Sequence, residues 1–152
     1  MRVNELLEKK EARGVFSVTP EQSVFEAVTT MVERNVGAML VIQNDRLVGI
    51  ITERDYLRLV TVQGRTARDT PVHEVMTRTV IYLTADSTVD EAMSIMTEKR
   101  IRHLPVMDGD TILGVLSIGD LVKAKAHSHE LRIRTLEAYI SDQYPGPAPT
   151  GA

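Results

Sequence analysis

Residues 19–58 read TPEQSVFEAVTTMVERNVGAMLVIQNDRLVGIITERDYLR, and residues 84–123 read TADSTVDEAMSIMTEKRIRHLPVMDGDTILGVLSIGDLVK. The second stretch repeats the first 65 positions later without a gap, and ten of the 40 aligned pairs are identical. The identical pairs are Thr19/Thr84, Val24/Val89, Glu26/Glu91, Ala27/Ala92, Met31/Met96, Glu33/Glu98, Val41/Val106, Asp45/Asp110, Gly49/Gly114 and Asp55/Asp120. Self-similarity over this length indicates a duplicated supersecondary unit.

Each copy predicts the same order of elements. A short apolar strand at 15–18 or 80–83 comes first, and a serine or threonine followed three residues later by a glutamate marks the start of a helix. Apolar residues recur along that helix at i, i+3, i+4 and i+7, and two β-rich runs joined by a tight turn come next. A second helix from Glu53 or Ile118 completes the unit as β-α-β-β-α.

The chain of 152 residues is long enough for these two units and for little else. Because about 50 residues sit near the lower limit of independent stability, the two copies are expected to pack on each other. We therefore predict a mixed α/β (α+β) fold, with two repeats related by pseudo-twofold symmetry and a C-terminal helix. The predicted segments are an N-terminal helical lead-in (1–14), the first repeat (15–64), a connection (65–79), the second repeat (80–127), the C-terminal helix (128–143) and a disordered tail (144–152).

Composition and charge exclude several classes of protein. Hydrophobic residues make up 43% of the chain and charged residues 26%, so a packed core forms without metal or disulfide support. The sequence contains no cysteine, which rules out thiol nucleophiles, cysteine-ligated zinc and iron–sulfur clusters. A formal net charge of −3 supplies no broad basic field, so we expect no nucleic-acid partner.

The sequence also predicts where the protein is found. No apolar run approaches the ~18 residues needed to cross a bilayer, and the opening MRVNELLEKKEARG lacks the apolar core of a signal peptide. We therefore expect no membrane partner and a cytoplasmic location.

Three motifs resemble those of one known family. They are Gly49-Ile-Ile-Thr52-Glu-Arg-Asp55, its echo Gly114-Val-Leu-Ser117-Ile-Gly-Asp120, and Arg100-Ile-Arg102-His103-Leu-Pro105-Val106. They resemble the cystathionine-β-synthase-type domain, or CBS domain, and two such domains in tandem resemble a Bateman module. The resemblance covers residues 15–127 and is closest to the short, stand-alone CBS-pair proteins of bacteria and plant organelles.

The resemblance implies a regulatory module that is not an enzyme. Such modules bind adenosine-containing nucleotides such as AMP, ADP, ATP or NAD(H) in the cleft between the repeats, and they commonly form homodimers. The target protein that reads the signal is unknown. No catalytic cofactor and no metal are expected, and the sequence contains no Walker loop, G-x-G-x-x-G or G-x-S-x-G motif. The alternative is a structural or protein-interaction module whose cleft stays empty.

Two Asp residues stand where a buried strand is expected to become a helix, in Thr52-x-x-Asp55 and Ser117-x-x-Asp120. One interpretation is that both pairs are capping boxes that satisfy free backbone N–H groups. The other follows from chemistry: an Asp at a helix start can accept hydrogen bonds from the two vicinal hydroxyls of a ribose. With the resemblance added, we predict ribose binding by these four residues.

Arg102 and His103 precede the second hairpin strand, a position that the family directs towards the cleft. A guanidinium fork matches two phosphate oxygens, so both residues are predicted to hold a nucleotide phosphate. The alternative is that the run KRIRH is the solvated end of a helix, whose cations complement the helix dipole, and we expect this role for Lys99 and Arg100.

The resemblance also distributes the ligand between two unequal positions. The Asp120 position would use Arg102 and His103 for phosphate and place adenine near Phe16 and Gly37. The Asp55 position would place adenine near Thr79 and Ile81 and could borrow the second repeat's cations across the cleft.

Three methionines leave a further alternative open. Met31, Met93 and Met96 lie on the predicted apolar stripes, where core filling is the ordinary role of that spacing. If helices of both repeats face a partner chain, as the resemblance implies, these side chains are divided between the core and a dimer interface.

Overall fold

The computed structural model describes residues 1–10 and 15–143, so residues 11–14 of the predicted lead-in and the predicted tail at 144–152 lie outside the described residues. The first repeat contains strand β1 (Ser17–Val18), helix α2 (Val24–Arg34), strands β2 (Ala38–Gln43) and β3 (Arg46–Thr52), and helix α3 (Glu53–Leu57), after helix α1 (Val3–Lys9). A π-helical turn (Arg58–Val62) and a 3-10 turn (Val72–Glu74) follow. The second repeat contains β4 (Leu83–Thr84), α4 (Val89–Lys99), β5 (His103–Asp108), β6 (Thr111–Ser117) and α5 (Ile118–Gln143).

The predicted fold class and the β-α-β-β-α order of each repeat are confirmed. Each repeat forms a three-stranded sheet, in which the first strand runs parallel to the second and the second and third form an antiparallel hairpin. The first strands are only two residues long, shorter than predicted. Both hairpins shift register at equivalent places, Val41/Ile42 and Val106/Met107, so the duplication extends to a local irregularity.

Tight turns connect the two strands of both hairpins, at the positions predicted from the turn residues. Asn44 and Asp45 both have positive φ angles, 52° and 61°, which match the two-residue turn whose twist suits antiparallel strands. In the second repeat the positive φ, 60°, falls on Gly109, a residue without the Cβ that makes this conformation costly.

The N-termini of the helices are capped by the predicted residues. Thr88 and Glu91 form a complete capping box, whereas at Ser23 only half of the box is present. The Ser23 Oγ accepts from the Glu26 N–H at 3.1 Å, but the Glu26 carboxylate accepts from the Gln22 side chain instead.

Each repeat has its own hydrophobic core. Met31 and Met96 are 2% exposed and belong to these cores, and Met93 is partly buried against the second one. The two segments that flank the repeats complete the cores, because Val72 is buried in the first core and Val3 in the second.

These flanking segments extend the pseudo-twofold symmetry beyond the 40 aligned pairs of the repeat. Residues 70–79 pack on the first repeat, and residues 1–10 pack on the second in the same way, at an offset of 69 positions. The matching pairs of backbone hydrogen bonds are Val24 N–H to Thr70 O with Val89 N–H to Met1 O, Val72 N–H to Gln22 O with Val3 N–H to Ser87 O, and His73 N–H to Pro20 O with Asn4 N–H to Ala85 O. At this offset Lys10 aligns with Thr79, and we call these two residues counterparts. The local structures differ there, since α1 continues to Lys9 whereas Thr77 pairs with Ile50 of β3.

The C-terminal helix is present, but it is not a separate element. It continues the last helix of the second repeat, so α5 runs without a break through the predicted boundary at 127/128. An ion pair between Lys125 and Asp90 joins α5 to α4. Among the described helices, including this longest one, no segment is long and apolar enough to cross a membrane.

Candidate functional site

Two cavities lie where the repeats meet, and each contains one of the two predicted Asp residues. The first, which we call the Asp55 cavity, has a volume of about 630 Å³. The second, the Asp120 cavity, has a volume of about 680 Å³. Both volumes lie within the range of about 300–1,000 Å³ that is usual for small-molecule sites.

The Asp55 cavity brings together elements of both repeats. Thr52 and Asp55 come from the end of β3 and the start of α3, while His103 is the first residue of β5 and Arg102 directly precedes it. The segment that precedes β4 supplies Thr79 and Ile81, which are also part of the lining. The cavity therefore contains every residue that was predicted for the Asp55 position.

The Asp120 cavity is the counterpart on the other side of the pseudo-twofold axis. Ser117 and Asp120 come from the end of β6 and the start of α5, and Phe16 and Gly37 come from the first repeat. His103 lines this cavity as well as the other one. Its ring lies against Gly37 of the first repeat, where an added Cβ would be only 3.1 Å from the His103 Cε1.

Arg102 is not where it was predicted for the Asp120 position. It is absent from the lining of the Asp120 cavity and lies in the Asp55 cavity. Arg102 lies just before β5, and because successive side chains of an extended chain point to opposite sides, it points away from the Asp120 cavity. His103, the first residue of β5, lies between the two cavities and lines both. Lys10 and Arg34 are the cations that line the Asp120 cavity.

Thr52 and Asp55 form the capping box that the first interpretation expected. The Asp55 Oδ2 accepts from the Thr52 N–H at 2.9 Å and from the Thr52 hydroxyl at 3.1 Å. The Asp55 N–H donates back to the Thr52 Oγ1 at 3.4 Å. These bonds satisfy the free amides at the start of α3 and hold the carboxylate at the cavity wall.

Ser117 and Asp120 repeat this arrangement and add a cation. The Asp120 Oδ2 accepts from the Ser117 N–H at 2.8 Å and is 3.0 Å from the Lys10 Nζ. The Lys10 ammonium also donates to the Val115 carbonyl at 2.8 Å, so it is fixed on two sides. Asp55 has no counterpart of this ion pair among the described residues.

Capping leaves one oxygen of each carboxylate available. Within residues 1–10 and 15–143, every hydrogen bond or ion pair that these two carboxylates accept uses Oδ2. No described side-chain oxygen is both fully buried and without a partner, so neither Oδ1 is sealed from its cavity, although Asp55 as a whole is only 7% exposed. Capping and ligand binding are therefore compatible roles for the same side chain.

The protonation states of His103 and Asp120 follow from their surroundings. Burial lowers the pKa of His103 below its ordinary 6.5, and the nearby Lys10 and Arg102 add to this effect, while Glu53 and Asp120 oppose it. Burial by itself raises the pKa of Asp120, but the bonds from the Ser117 backbone and the Lys10 ammonium outweigh it and leave the pKa below 3.8. Near neutral pH, His103 is uncharged and Asp120 is ionised.

Charge is distributed very unequally between the cavities. Five cationic side chains line the Asp55 cavity, and no described carboxylate pairs with any of them; they are Arg54, Arg58, Lys99, Arg100 and Arg102. Two carboxylates, those of Glu53 and Asp55, face these five cations. Among the described residues that line the Asp120 cavity, two are cations, Lys10 and Arg34, and two are carboxylates, Glu8 and Asp120.

Lys10 is one of the site residues that the sequence reasoning missed, together with Arg34, Arg54 and Arg58. For Lys10 a signal was present: residues 3–9, VNELLEK, match residues 72–78, VHEVMTR, in apolar and charge pattern at an offset of 69. The ungapped alignment at an offset of 65 does not include these segments, because the two offsets differ by four residues. Lys99 and Arg100, expected only to complement the helix dipole, also line the Asp55 cavity.

The comparisons with known proteins agree with this architecture. A family model described as "CBS domain" matches residues 10–62 and 72–127. The protein CBSX3, mitochondrial, of Arabidopsis thaliana is 43% identical over 131 residues, which cover 83% of this chain and 64% of that relative. The chain thus spans less than two thirds of that relative's length. Because this relative is named as mitochondrial, a cytoplasmic location stays a prediction.

Solved structures show the same fold. A CBS-domain protein from Burkholderia ambifaria is 44% identical, with a TM-score of 0.79 over 82% of this chain and 93% of that one. A CBS-domain containing protein from Agrobacterium tumefaciens is 38% identical, with a TM-score of 0.77 over 82% of this chain and 99% of that one. At 23% identity, the CBS domain pair of protein MJ0100 shares the fold, with a TM-score of 0.74 over 84% and 98% of the two chains; it was solved with 5′-methylthioadenosine and S-adenosyl-L-methionine.

The two matched segments cover most of the chain and coincide with the two sheets, hairpins and cavities described above. The chain therefore belongs to the CBS domain family and contains a tandem pair of CBS domains.

Proposed function

We propose that the protein senses an adenosine-containing nucleotide, such as AMP, ADP, ATP or NAD(H), in the clefts between its two CBS repeats and signals to a partner protein. The observation that carries this proposal is that Asp55 and Asp120 each line a cavity between the repeats and keep an Oδ1 that the helix cap does not use. A carboxylate oxygen fixed at a helix start can accept hydrogen bonds from both hydroxyls of a ribose.

The remainder of each cavity suits the rest of such a ligand. In the Asp55 cavity the cations, Arg102 among them, would bind the phosphates, and Thr79 and Ile81 would lie beside the adenine. In the Asp120 cavity Phe16 and Gly37 are the candidate neighbours of the base. Protein MJ0100, which shares this fold, binds two adenosine compounds, and this supports the same ligand class here.

Thermal unfolding with a panel of AMP, ADP, ATP and NAD(H) tests the proposal. A ligand at 100 times its dissociation constant adds about 2.7 kcal/mol to the free energy of unfolding. For a domain of this size we expect the melting temperature to rise by about 5–10 °C.

The matched control is the double variant Asp55→Asn and Asp120→Asn. Asparagine keeps an oxygen for the helix cap but loses the charge that strengthens a bond to a ribose hydroxyl. We expect the variant to fold and to lose the nucleotide-dependent rise. If neither protein responds to any nucleotide, the cleft is empty and the alternative, a structural or interaction module, replaces the sensor.

A homodimer is the second part of the proposal. Leu57 and Val122 occupy equivalent positions of the two repeats and are 58% and 52% exposed, and Val32 and Val62 are exposed further still. A partner chain would cover such apolar side chains. Light scattering should give the mass of two chains, and Leu57→Asp with Val122→Asp should reduce it to one. A mass of six chains would instead match a 25% identical relative that is titled hexameric.

The proposed module works without catalytic turnover. A ligand changes the arrangement of the repeats only as far as it binds one arrangement better than another, and a coupling of about 1–3 kcal/mol is typical. Incubation with ATP should therefore release no phosphate while the melting temperature rises. The partner that reads the change would bind at the dimer face or at the C-terminal part of α5.

A further inference from the structure

The inference concerns Lys10, which lies in the Asp120 cavity, and it rests on the proposed function. Its ammonium is 3.0 Å from the Asp120 Oδ2, the carboxylate that would hold the ribose. The side chains of Lys10 and Asp120 are 26% and 21% exposed, so the pair is largely shielded from water. An ion pair in such a place is costly to break unless a new partner replaces the lost one.

The pseudo-twofold symmetry provides an internal comparison. The counterpart of Lys10 is Thr79, which lines the Asp55 cavity and carries no charge. Asp55 consequently keeps its capping bonds without a cation, whereas the Asp120 carboxylate already has one. This difference between the two cavities lies next to the group proposed to bind the sugar.

We infer that Lys10 is a specificity-determining residue, which makes the Asp120 cavity prefer phosphorylated adenosine ligands over neutral ones. A neutral ligand such as adenosine competes with Lys10 for hydrogen bonds to the Asp120 carboxylate and provides no anion to pair with the Lys10 ammonium. A ligand with a phosphate brings a new anion, and the Lys10 side chain can turn from Asp120 to that anion.

The charge balance explains why one lysine has this effect. Among the described residues, Lys10 and Arg34 are the two cations that line the Asp120 cavity, so one lysine supplies a large share of the positive charge there. The Asp55 cavity has five cations against two carboxylates, and its preference for phosphate does not depend on any single residue. Arg34 also lies over the Phe16 ring, 5.4 Å from its centroid, which holds it at the proposed base position.

The experiment measures binding of AMP and adenosine by calorimetry in an Asp55→Asn background, which isolates the Asp120 cavity. Lys10→Thr gives this cavity the residue that its counterpart has. We expect the ratio of AMP affinity to adenosine affinity to fall about tenfold, with adenosine binding strengthened by about threefold. Lys10→Gln keeps a donor for the Val115 carbonyl without the charge, and it should change the ratio in the same direction.

The matched control is Lys9→Thr, which removes the same charge from an exposed position of α1 next to Lys10. This variant should leave the ratio within about twofold of the parent, because its charge is not in contact with Asp120. A ratio unchanged in both Lys10 variants would overturn the inference, as would a loss of adenosine affinity larger than the loss of AMP affinity. If neither ligand binds the wild-type protein, the proposed function fails first, and the inference fails with it.

Discussion

At the scale of single residues, His103 lies at the junction of the two repeats and, like Gly37, lines both cavities. Burial lowers its pKa, so the native state takes up a proton less readily than the unfolded chain does. As the pH falls through the ordinary value near 6.5, the unfolded state gains protons first and stability declines.

This argument predicts a pH dependence that one substitution removes. The free energy of unfolding should fall between about pH 7.5 and pH 5.5. Chemical denaturation at a series of pH values would measure this fall, and His103→Gln should flatten it over the same interval. An equal fall in wild type and variant would show that other groups cause the dependence.

Gly49 is required by a close approach between backbones. A Cβ at this position would lie 2.6 Å from the Met76 Sδ and 3.0 Å from the Thr77 carbonyl oxygen, and the latter cannot swing aside as a side chain can. Gly49→Ala should therefore destabilise the protein by about 1–3 kcal/mol.

The control for Gly49→Ala is a glycine with room around it. Gly119 lies in α5, and a Cβ there would meet only the Ser117 Oγ at an ordinary 3.6 Å. Gly119→Ala should be neutral or stabilising by up to about 1 kcal/mol, because alanine favours a helix over glycine. Equal losses in both variants, measured by urea denaturation, would contradict the role of the Met76–Thr77 contact.

At the scale of elements, the lead-in and the connection are equivalent parts of the fold. Val3 and Val72 are both fully buried, one in each core. Val72 packs on the first repeat, which directly precedes it in sequence, whereas Val3 packs on the second repeat, which is distant in sequence. A buried valine should contribute the same amount in either place.

Val3→Ala and Val72→Ala should accordingly each lower the free energy of unfolding by about 2 kcal/mol, since two buried methyl groups are lost and a cavity remains. Val32→Ala makes the same chemical change at a side chain that is 76% exposed, and it should change stability by less than about 0.5 kcal/mol. If Val3→Ala behaves like Val32→Ala, residues 1–10 are not part of the folded unit in solution.

At the scale of the whole molecule, the small net charge does not reflect the concentration of positive charge around the Asp55 cavity. The chain carries 18 Lys and Arg against 21 Asp and Glu, yet the fold gathers five cations around the Asp55 cavity. Two of them, Lys99 and Arg100, come from the end of α4, and Arg102 from the start of β5. A phosphate in this cavity would gain from all of them at once.

Salt should therefore distinguish the ligands of the Asp55 cavity. In an Asp120→Asn background, we expect ATP affinity to fall about tenfold between roughly 0.05 and 0.5 M NaCl, because salt screens its charges, and adenosine affinity to change less than about twofold. Calorimetry at each salt concentration gives both values. Parallel losses for the two ligands would mean that the cations do not contact phosphate.

What could be predicted from the sequence rests on local rules. The 65-residue repeat, the caps at Thr88, Thr52 and Ser117, and the turn at Asn44-Asp45 each depend on residues within a few positions of one another, so pattern alone was sufficient. Pairing of the two repeats followed from their small size, and the shared cavities agree with it.

The sequence by itself determined the duplicated β-α-β-β-α unit, its caps and the chemistry of the residues at each helix start. Only the tertiary structure decided that Arg102 turns into the Asp55 cavity, that residues 1–10 pack on the distant second repeat, and that Lys10 pairs with Asp120. The physical reason is distance along the chain: Lys10 and Asp120 are 110 positions apart, and only the packing of residues 1–10 on the second repeat brings their charges together.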